Sequence, residues 1–177
     1  VCVPSGPVLR GPGGFFFYRL LFFATLELMR KTATKSPGET KRFAQIIFKK
    51  LLVPSRRKGA NIVGFSGELG AGKTTLIQGL GKKLGIREKI QSPTFVIMKK
   101  YRLGRKGIPW RALIHIDAYR LEKKKEILPL GLKNIFQNPK NLVVIEWPER
   151  IKNALPRHTL WIELKHRGGN HRHIIIK

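Results

Sequence analysis

The fold is decided by residues 67–74, which read Gly67-Glu68-Leu69-Gly70-Ala71-Gly72-Lys73-Thr74. This stretch matches the phosphate-binding pattern G-x-x-x-x-G-K-[ST] at every constrained position. Glycines are required because the loop brings its backbone N–H groups close to phosphate oxygens and adopts positive φ angles. The lysine of such a loop reaches the β and γ phosphates, and the next hydroxyl binds Mg²⁺. The stretch therefore predicts a nucleoside triphosphate site, with Lys73 on the phosphates and Thr74 on the metal.

The residues on either side of this phosphate loop predict a strand that enters it and a helix that leaves it. Residues 61–66 (NIVGFS) form a short apolar run that is typical of a buried parallel strand. Leu76, Leu80 and Leu84 recur every four residues along one helical face, and Gly85 then predicts the helix end. The N-terminus of such a helix favours bound phosphate. This context disfavours the alternative of a glycine-rich turn between two core elements.

The composition of the whole chain indicates one domain and a polyanionic or acidic partner. Its 177 residues, 42% of them apolar, are enough for one domain with a substantial core. The single cysteine, Cys2, excludes an intramolecular disulfide and fits a reducing compartment. The formal net charge of +26 attracts polyanions such as RNA. A chain whose solvated faces are merely rich in lysine explains the charge equally well.

Residues 1–28 differ in composition from the rest of the chain. Residues 1–14 are rich in proline and glycine, and residues 15–24 form an aromatic run interrupted by Arg19. This run is shorter than the roughly 20 apolar residues of a membrane span, and no convincing small-residue cleavage site marks it as a signal peptide. We interpret residues 1–28 as a disordered or mis-assigned leader before a start at Met29. Residues 29–177 are then one domain, with no membrane association expected.

Signals for helices and strands follow one another after this leader. The capping-box spacing Ser36-Pro37-Gly38-Glu39 predicts the start of a helix. Residues 142–145 (LVVI) predict a buried central strand that ends at Glu146. Other predicted elements are a hairpin of strands 96–102 and 112–117, short helices within 119–140, and a hairpin of strands 159–165 and 171–176. The sum is an α/β fold: a three-layer P-loop NTPase-like domain with a mixed, mainly parallel sheet and a C-terminal antiparallel hairpin.

Two acidic residues follow predicted strands at the edge where open α/β sheets bind ligands. Glu146 comes after four apolar residues, an arrangement typical of an acid that holds Mg²⁺ directly or through water. Asp117 ends the strand of residues 112–117, where it can order the attacking water, accept its proton or share the metal. Both acids are catalytic candidates together with Lys73. The alternative for each is a solvated acid at the end of a strand.

Three further residues near this edge are candidates for the nucleotide site, and each also has a structural explanation. Thr94 lies in the stretch Gln91-Ser92-Pro93-Thr94-Phe95, at a position where many nucleotide hydrolases sense the γ phosphate. A plain turn containing proline explains that stretch almost as well. Trp147 either stacks near the nucleotide or packs against Pro148. Arg120 is a candidate charge-stabilising arginine, although a structural salt bridge is the favoured interpretation.

The motifs in these regions resemble those of a known protein family. After residues 67–75, three blocks follow in order: Ser92-Pro93-Thr94-Phe95, His115-Ile116-Asp117-Ala118-Tyr119-Arg120-Leu121 and Glu146-Trp147-Pro148-Glu149. Their order and spacing are similar to those of TsaE, formerly YjeE, the small bacterial ATPase family of tRNA threonylcarbamoyladenosine biosynthesis. The resemblance runs from about residue 34 to the C-terminus. Four ordered blocks are far more specific than the phosphate loop alone.

The resemblance implies a cytoplasmic, Mg²⁺-dependent ATPase that does not itself modify tRNA. ATP and Mg²⁺ are the implied cofactors, and TsaD and TsaB are the implied partners, whose complex ATP hydrolysis resets between rounds of modification of the adenosine next to the anticodon. The implied contact with tRNA is indirect, or direct through the basic surface. The roles implied by motif position are phosphate and Mg²⁺ binding by Lys73, Thr74 and Thr75, metal ligation by Glu146, hydrolysis by Asp117, and nucleotide contact by Trp147 and, at the base, Thr40.

Two other functions fit parts of the sequence. A basic RNA-binding protein with a regulatory nucleotide site would use the net charge of +26, but the sequence contains no RNA-binding motif with interleaved aromatic residues. A small-molecule kinase would share the phosphate loop and use the basic residues 99–111 as a lid, but no acceptor pocket can be named. Release of free phosphate without an acceptor distinguishes the ATPase from the kinase.

Overall fold

A computed structural model describes residues 31–53, 58–121 and 130–177. The predicted leader, residues 1–28, lies outside the described residues, as do residues 122–129 of the region in which short helices are predicted. Among the residues that are described, no helix is both long enough and apolar enough to cross a membrane.

The described residues form seven strands, three α-helices and one 3-10 helix. In chain order they are β1 (Lys31–Thr34), α1 (Pro37–Leu52), β2 (Asn61–Ser66), α2 (Lys73–Lys83), β3 (Met98–Arg102), β4 (Ala112–Asp117), α3 (Leu132–Gln137), β5 (Asn141–Glu146), the 3-10 helix (Pro148–Ala154), β6 (Leu160–His166) and β7 (Arg172–Ile176).

The strands form one mixed sheet in the order β1-β7-β6-β2-β5-β4-β3. The four central strands, β6, β2, β5 and β4, run parallel to one another. The pairs β3–β4, β6–β7 and β1–β7 are antiparallel and form its two margins. Every residue of β4 and β5 is buried, as expected for parallel strands covered on both faces. The mixed sheet and the C-terminal hairpin are therefore confirmed.

Apolar layers cover the two faces of this sheet. On one face, α1 and α2 bury Ile47, Leu76 and Leu80 completely. On the other face, α3 and the 3-10 helix bury Phe136 and Ile151. The three-layer α/β architecture predicted from the sequence is confirmed, because helices lie on both sides of the sheet.

Helix α1 begins as its sequence predicts. The Ser36 side chain accepts a hydrogen bond from the N–H of Glu39 at 3.1 Å, and Pro37 occupies the first helical turn. The Glu39 carboxylate accepts from the N–H of Lys35 at 2.7 Å, one residue before the position that a capping box uses.

Helix α2 packs closely on α1 because Gly79 has no side chain. A Cβ at Gly79 would collide with the carbonyl oxygen of Lys41 and would lie 3.0 Å from Cβ of Ala44. Gly85, with a φ of 83°, ends the helix and donates its N–H to the carbonyl of Lys82 at 3.2 Å. The contact with α1 fixes the start of α2, and therefore the phosphate loop in front of it.

Several element boundaries differ from those predicted. Strand β3 starts at Met98 rather than at residue 96, because Ile97 adopts a φ of 62° that interrupts the extended backbone. The short edge strand β1 and the 3-10 helix are not predicted at all. Strand β6 of the C-terminal hairpin starts and ends one residue later than predicted.

Candidate active site

An open cleft of about 290 Å³ lies at the carboxyl ends of the central strands, beside the phosphate loop. Parallel strands end together at this edge, and open α/β sheets bind their ligands there. The lining residues come from the phosphate loop and α2, from the loop before β3 and from the ends of β4 and β5. They are Leu69, Gly70, Gly72, Lys73, Thr74, Thr75, Ser92, Thr94, Asp117, Tyr119, Glu146 and Trp147.

The phosphate loop has the backbone that its glycines predict. The φ angles are 135° at Gly67, 76° at Gly70 and 99° at Gly72, a range that other residues rarely adopt. A Cβ at Gly67 would collide with the carbonyl oxygen of Leu164 in β6. Gly72 is the N-cap of α2 and makes no side-chain cap, which leaves the first N–H groups of that helix for another acceptor. The loop therefore fits a polyphosphate chain.

The Lys73 side chain is held inside the loop, with only 4% of the residue exposed. Its ammonium donates hydrogen bonds to the carbonyls of Gly67 at 2.8 Å and Glu68 at 2.9 Å, and lies 3.8 Å from the centre of the Trp147 ring. Burial lowers the pKa of Lys73, whereas the nearby carboxylates of Glu146, Glu149 and Asp117 act in the opposite direction. A phosphate group is a natural partner for this poorly solvated cation.

Thr74 and Glu146 meet across the floor of the cleft. The Thr74 hydroxyl lies 3.0 Å and 2.9 Å from the two carboxylate oxygens of Glu146, and Glu146 is 3% exposed. A hydroxyl and a carboxylate are the hard oxygen ligands that Mg²⁺ prefers, usually with water and substrate phosphates completing the shell. The two residues predicted as metal ligands therefore fit Mg²⁺.

A third residue, His115, positions Glu146. Its Nε2 lies 2.9 Å from Oε1 of Glu146, and the histidine is fully buried. Because a carboxylate accepts hydrogen bonds, Nε2 is the donor in this contact. No residue that the structure describes hydrogen-bonds to Nδ1. No role for His115 is predicted from the sequence, but one signal was present. It precedes Asp117 by two residues in β4, so both side chains lie on one face of the sheet.

Loss of the His115 donor should weaken Mg²⁺ binding more than it weakens nucleotide binding. Replacement by leucine is expected to raise the Mg²⁺ concentration for half-maximal ATP turnover by roughly tenfold. His115→Gln places an amide N–H near the position of Nε2 and should restore most of the activity, whereas His115→Asn is too short to do so. Mg²⁺ titrations of the three variants test this. Equal behaviour of the glutamine and asparagine variants would contradict it.

The carboxylate of Asp117 is fixed by hydrogen bonds from three sides. The hydroxyls of Ser92 and Thr94 donate to its Oδ2 at 2.5 Å and 2.6 Å, and the N–H of Tyr119 donates to Oδ1 at 3.0 Å. Asp117 and Glu146 are register partners in neighbouring parallel strands, so their carboxylates enter the same cleft. The loop of residues 91–95 is therefore joined directly to one of the two acids. Ser92 is a site residue that the sequence predictions do not include.

Trp147 is turned into the cleft by its backbone. It has a φ of 59° at the N-cap of the 3-10 helix, and its N–H donates to the carbonyl of Phe65 at 3.2 Å. The rings of Trp147 and Tyr119 have centroids 5.1 Å apart and line the cleft together. Trp147 also packs against the hydrophobic cluster beneath the cleft, and its contact with a nucleotide stays a prediction. Arg120 lies over the Phe95 ring, 4.5 Å from its centroid.

Like Gly67, Glu68 and Ala71 of the phosphate loop, Thr40 is a predicted site residue that does not line the cleft. It is 2% exposed, and its hydroxyl lies 2.9 Å from that of Thr34 and 3.1 Å from the carbonyl of Ser36. Its methyl group lies behind the phosphate loop, 3.9 Å from where a Cβ on Gly72 would be. The structure thus places Thr40 as a support of the loop. Its contact with a base stays a prediction.

The fold and this site define a member of the P-loop NTPase-like α/β proteins. Residues 34–174 match the model of the family described as "Threonylcarbamoyl adenosine biosynthesis protein TsaE". The chain belongs to the TsaE family.

Relatives over most of the chain agree with this assignment. The chain is 36% identical to the tRNA threonylcarbamoyladenosine biosynthesis protein TsaE of Bacillus subtilis over 81% of its own length and 82% of the relative. It is 31% identical to the protein of the same name from Treponema pallidum, over 82% and 98% respectively. The crystal structure of YdiB from Bacillus subtilis superimposes with a TM-score of 0.62 at 31% identity, covering 82% of both chains.

Proposed function

We propose that this chain binds ATP with Mg²⁺ and hydrolyses it to ADP and phosphate. The observation that carries the proposal is the geometry of four side chains in one cleft. Thr74 and Glu146 lie 2.9–3.0 Å apart, Lys73 lies in the phosphate loop beside them, and Asp117 is held by two hydroxyls. Phosphoryl transfer needs this combination of a phosphate cradle, metal ligands and a residue that positions the nucleophile.

Each of these side chains has a separate task in the proposal. The phosphate loop and Lys73 bind the phosphates, with Thr75 on the same helix end. Thr74 and Glu146 hold Mg²⁺, which when bound neutralises charge on the β and γ phosphates. Asp117 orients the attacking water and accepts its proton. Its carboxylate is held in place by hydrogen bonds, and Asp117 is not one of the predicted metal ligands. Thr94, bonded to Asp117, connects this acid to the loop that would lie near the γ phosphate.

We assign contact with the nucleotide to the aromatic residues of the cleft, Trp147 and Tyr119. Trp147 lies over the ammonium of Lys73 and against Tyr119. Part of this ring is exposed to the cleft, so a nucleotide can contact it without displacing core residues. Trp147 fluorescence is therefore a natural signal for binding.

We place this ATPase in tRNA threonylcarbamoyladenosine biosynthesis, in the cytoplasm, as a partner of TsaD and TsaB. Family membership and the names of the relatives support this pathway. We propose that tRNA is reached through those partners. The charge of +26 adds attraction for the same polyanion.

An ATPase assay with and without TsaB and TsaD tests the proposal. The expected result is slow, Mg²⁺-dependent release of phosphate by the chain alone and faster release with the two partners. Labelled ATP with no added acceptor separates this activity from that of a kinase. A kinase would leave the ATP intact, whereas an ATPase releases the labelled phosphate. Tight, strongly salt-dependent tRNA binding by a chain that binds ATP but never hydrolyses it would favour an RNA-binding protein instead.

A further inference from the structure

An arginine from the C-terminal hairpin contacts the phosphate loop. Nη2 of Arg172, at the start of β7, donates to the carbonyl of Gly70 at 3.2 Å. Its Nη1 donates to the carbonyls of Gly169 at 2.9 Å and His171 at 2.8 Å. One guanidinium thus joins the hairpin turn to the tip of the loop, although the two are 102 residues apart in sequence.

The same guanidinium borders the second glycine that faces the cleft. Nε of Arg172 lies 3.7 Å from where a Cβ on Gly72 would be. Both Gly70 and Gly72 line the cleft, whereas Arg172 itself does not. Arg172 therefore contacts the backbone of the phosphate loop from outside the cleft lining.

Arg172 forms no ion pair with a carboxylate of the described residues. In the part of the chain that the structure describes, its hydrogen bonds go to carbonyl oxygens and no carboxylate is within ion-pair distance. A guanidinium stays protonated at all physiological pH values. A fixed positive charge that is held against a phosphate-binding backbone favours an anion in that loop.

We propose that Arg172 is a positioning residue for the phosphate loop, one that holds the Gly70 turn and adds a positive charge beside the phosphates of ATP. This inference rests on the proposed nucleotide site. It gives the C-terminal hairpin a direct part in binding. Arg120, the arginine considered from the sequence, lies instead over Phe95.

Nucleotide affinity in matched variants of the full chain tests this role. The probe is a non-hydrolysable ATP analogue with Mg²⁺, titrated at two salt concentrations into wild type, Arg172→Met, Arg172→Lys and Arg167→Met. Arg167 lies in the same hairpin and is exposed, so its replacement removes an equal charge without touching the loop. Arg172→Met is expected to weaken affinity roughly three- to tenfold and to flatten its salt dependence. The lysine variant should fall between, and Arg167→Met should stay within about twofold.

Turnover at saturating ATP separates positioning from general damage. For Arg172→Met we expect KM to rise while kcat stays within about twofold, because Thr74, Glu146 and Asp117 are untouched. Equal losses in the Arg172 and Arg167 methionine variants, or a parallel fall in kcat and melting temperature, would overturn the proposal. Wild-type affinity in Arg172→Met would overturn it as well, while leaving the proposed function intact. Absence of analogue binding by the wild type would overturn both.

Discussion

Replacement of Asp117 by asparagine is expected to lower ATP turnover by roughly 10²- to 10⁴-fold, the range that a positioned acid or base contributes. The amide keeps a carbonyl oxygen that can accept from the hydroxyls of Ser92 and Thr94, now at 2.5 Å and 2.6 Å. It cannot accept a proton from water. We therefore expect ATP affinity to stay within about threefold of wild type, since no predicted phosphate or metal contact is lost.

Single-turnover phosphate release and analogue binding, measured on the same samples, separate these two effects. Glu149→Gln is the matched control, because Glu149 is an exposed acid near Lys73 that does not line the cleft. Its turnover should stay within about twofold of wild type. Normal turnover by Asp117→Asn would remove Asp117 from the mechanism. Equal losses of turnover in Asp117→Asn and Glu149→Gln would indicate that the total negative charge near the cleft matters, rather than Asp117 itself.

Replacement of Lys73 by methionine is expected to weaken ATP binding roughly ten- to hundredfold, as loss of a charged hydrogen-bond donor does. Hydrolysis should fall below detection. Lys82→Met is the control, because Lys82 is exposed in the last turn of the same helix and its loss changes the net charge equally. Calorimetric titration with the ATP analogue measures the affinity of both variants. Undiminished affinity in Lys73→Met would eliminate the proposed phosphate site.

The same variant should change the stability of the nucleotide-free protein only slightly. Burial lowers the pKa of Lys73, so the folded chain binds this proton less readily than the unfolded chain does. At any pH below its folded pKa the charged side chain therefore opposes folding, and this penalty decreases as the pH rises through that pKa. Removing the ammonium removes this penalty but also removes the hydrogen bonds to the carbonyls of Gly67 and Glu68. Because the two effects oppose each other, we expect the melting temperature of Lys73→Met to stay close to that of wild type, although ATP binding is weakened.

The parts of the fold that were predictable from sequence are those with strong local signals. The strand of residues 61–66 and the strand of residues 112–117 have the observed bounds, because each is an apolar run that both faces of the sheet bury. Strand β1 was not predictable in the same way. Its four residues contain only one buried side chain, and it exists through pairing with β7 at the far end of the chain.

The candidate site divides along similar lines. Lys73, Thr74, Asp117 and Glu146 follow from motifs and strand ends, and the structure brings all four to one cleft. The contact between His115 and Glu146 depends on the pairing of β4 with β5, which no local pattern specifies. The left-handed backbone of Trp147 is likewise a tertiary effect, since a tryptophan has no intrinsic preference for positive φ.

The packing of the phosphate loop against the C-terminal hairpin has a consequence for the order of events during synthesis. The loop is translated early, but Gly67 rests on the carbonyl of Leu164 and Gly70 bonds to Arg172. A nascent chain that has emerged only as far as Glu149 thus has every motif residue but lacks the contacts with Leu164 and Arg172. We therefore expect the proposed nucleotide site to be complete only after the ribosome has extruded the hairpin and the last strands have assembled.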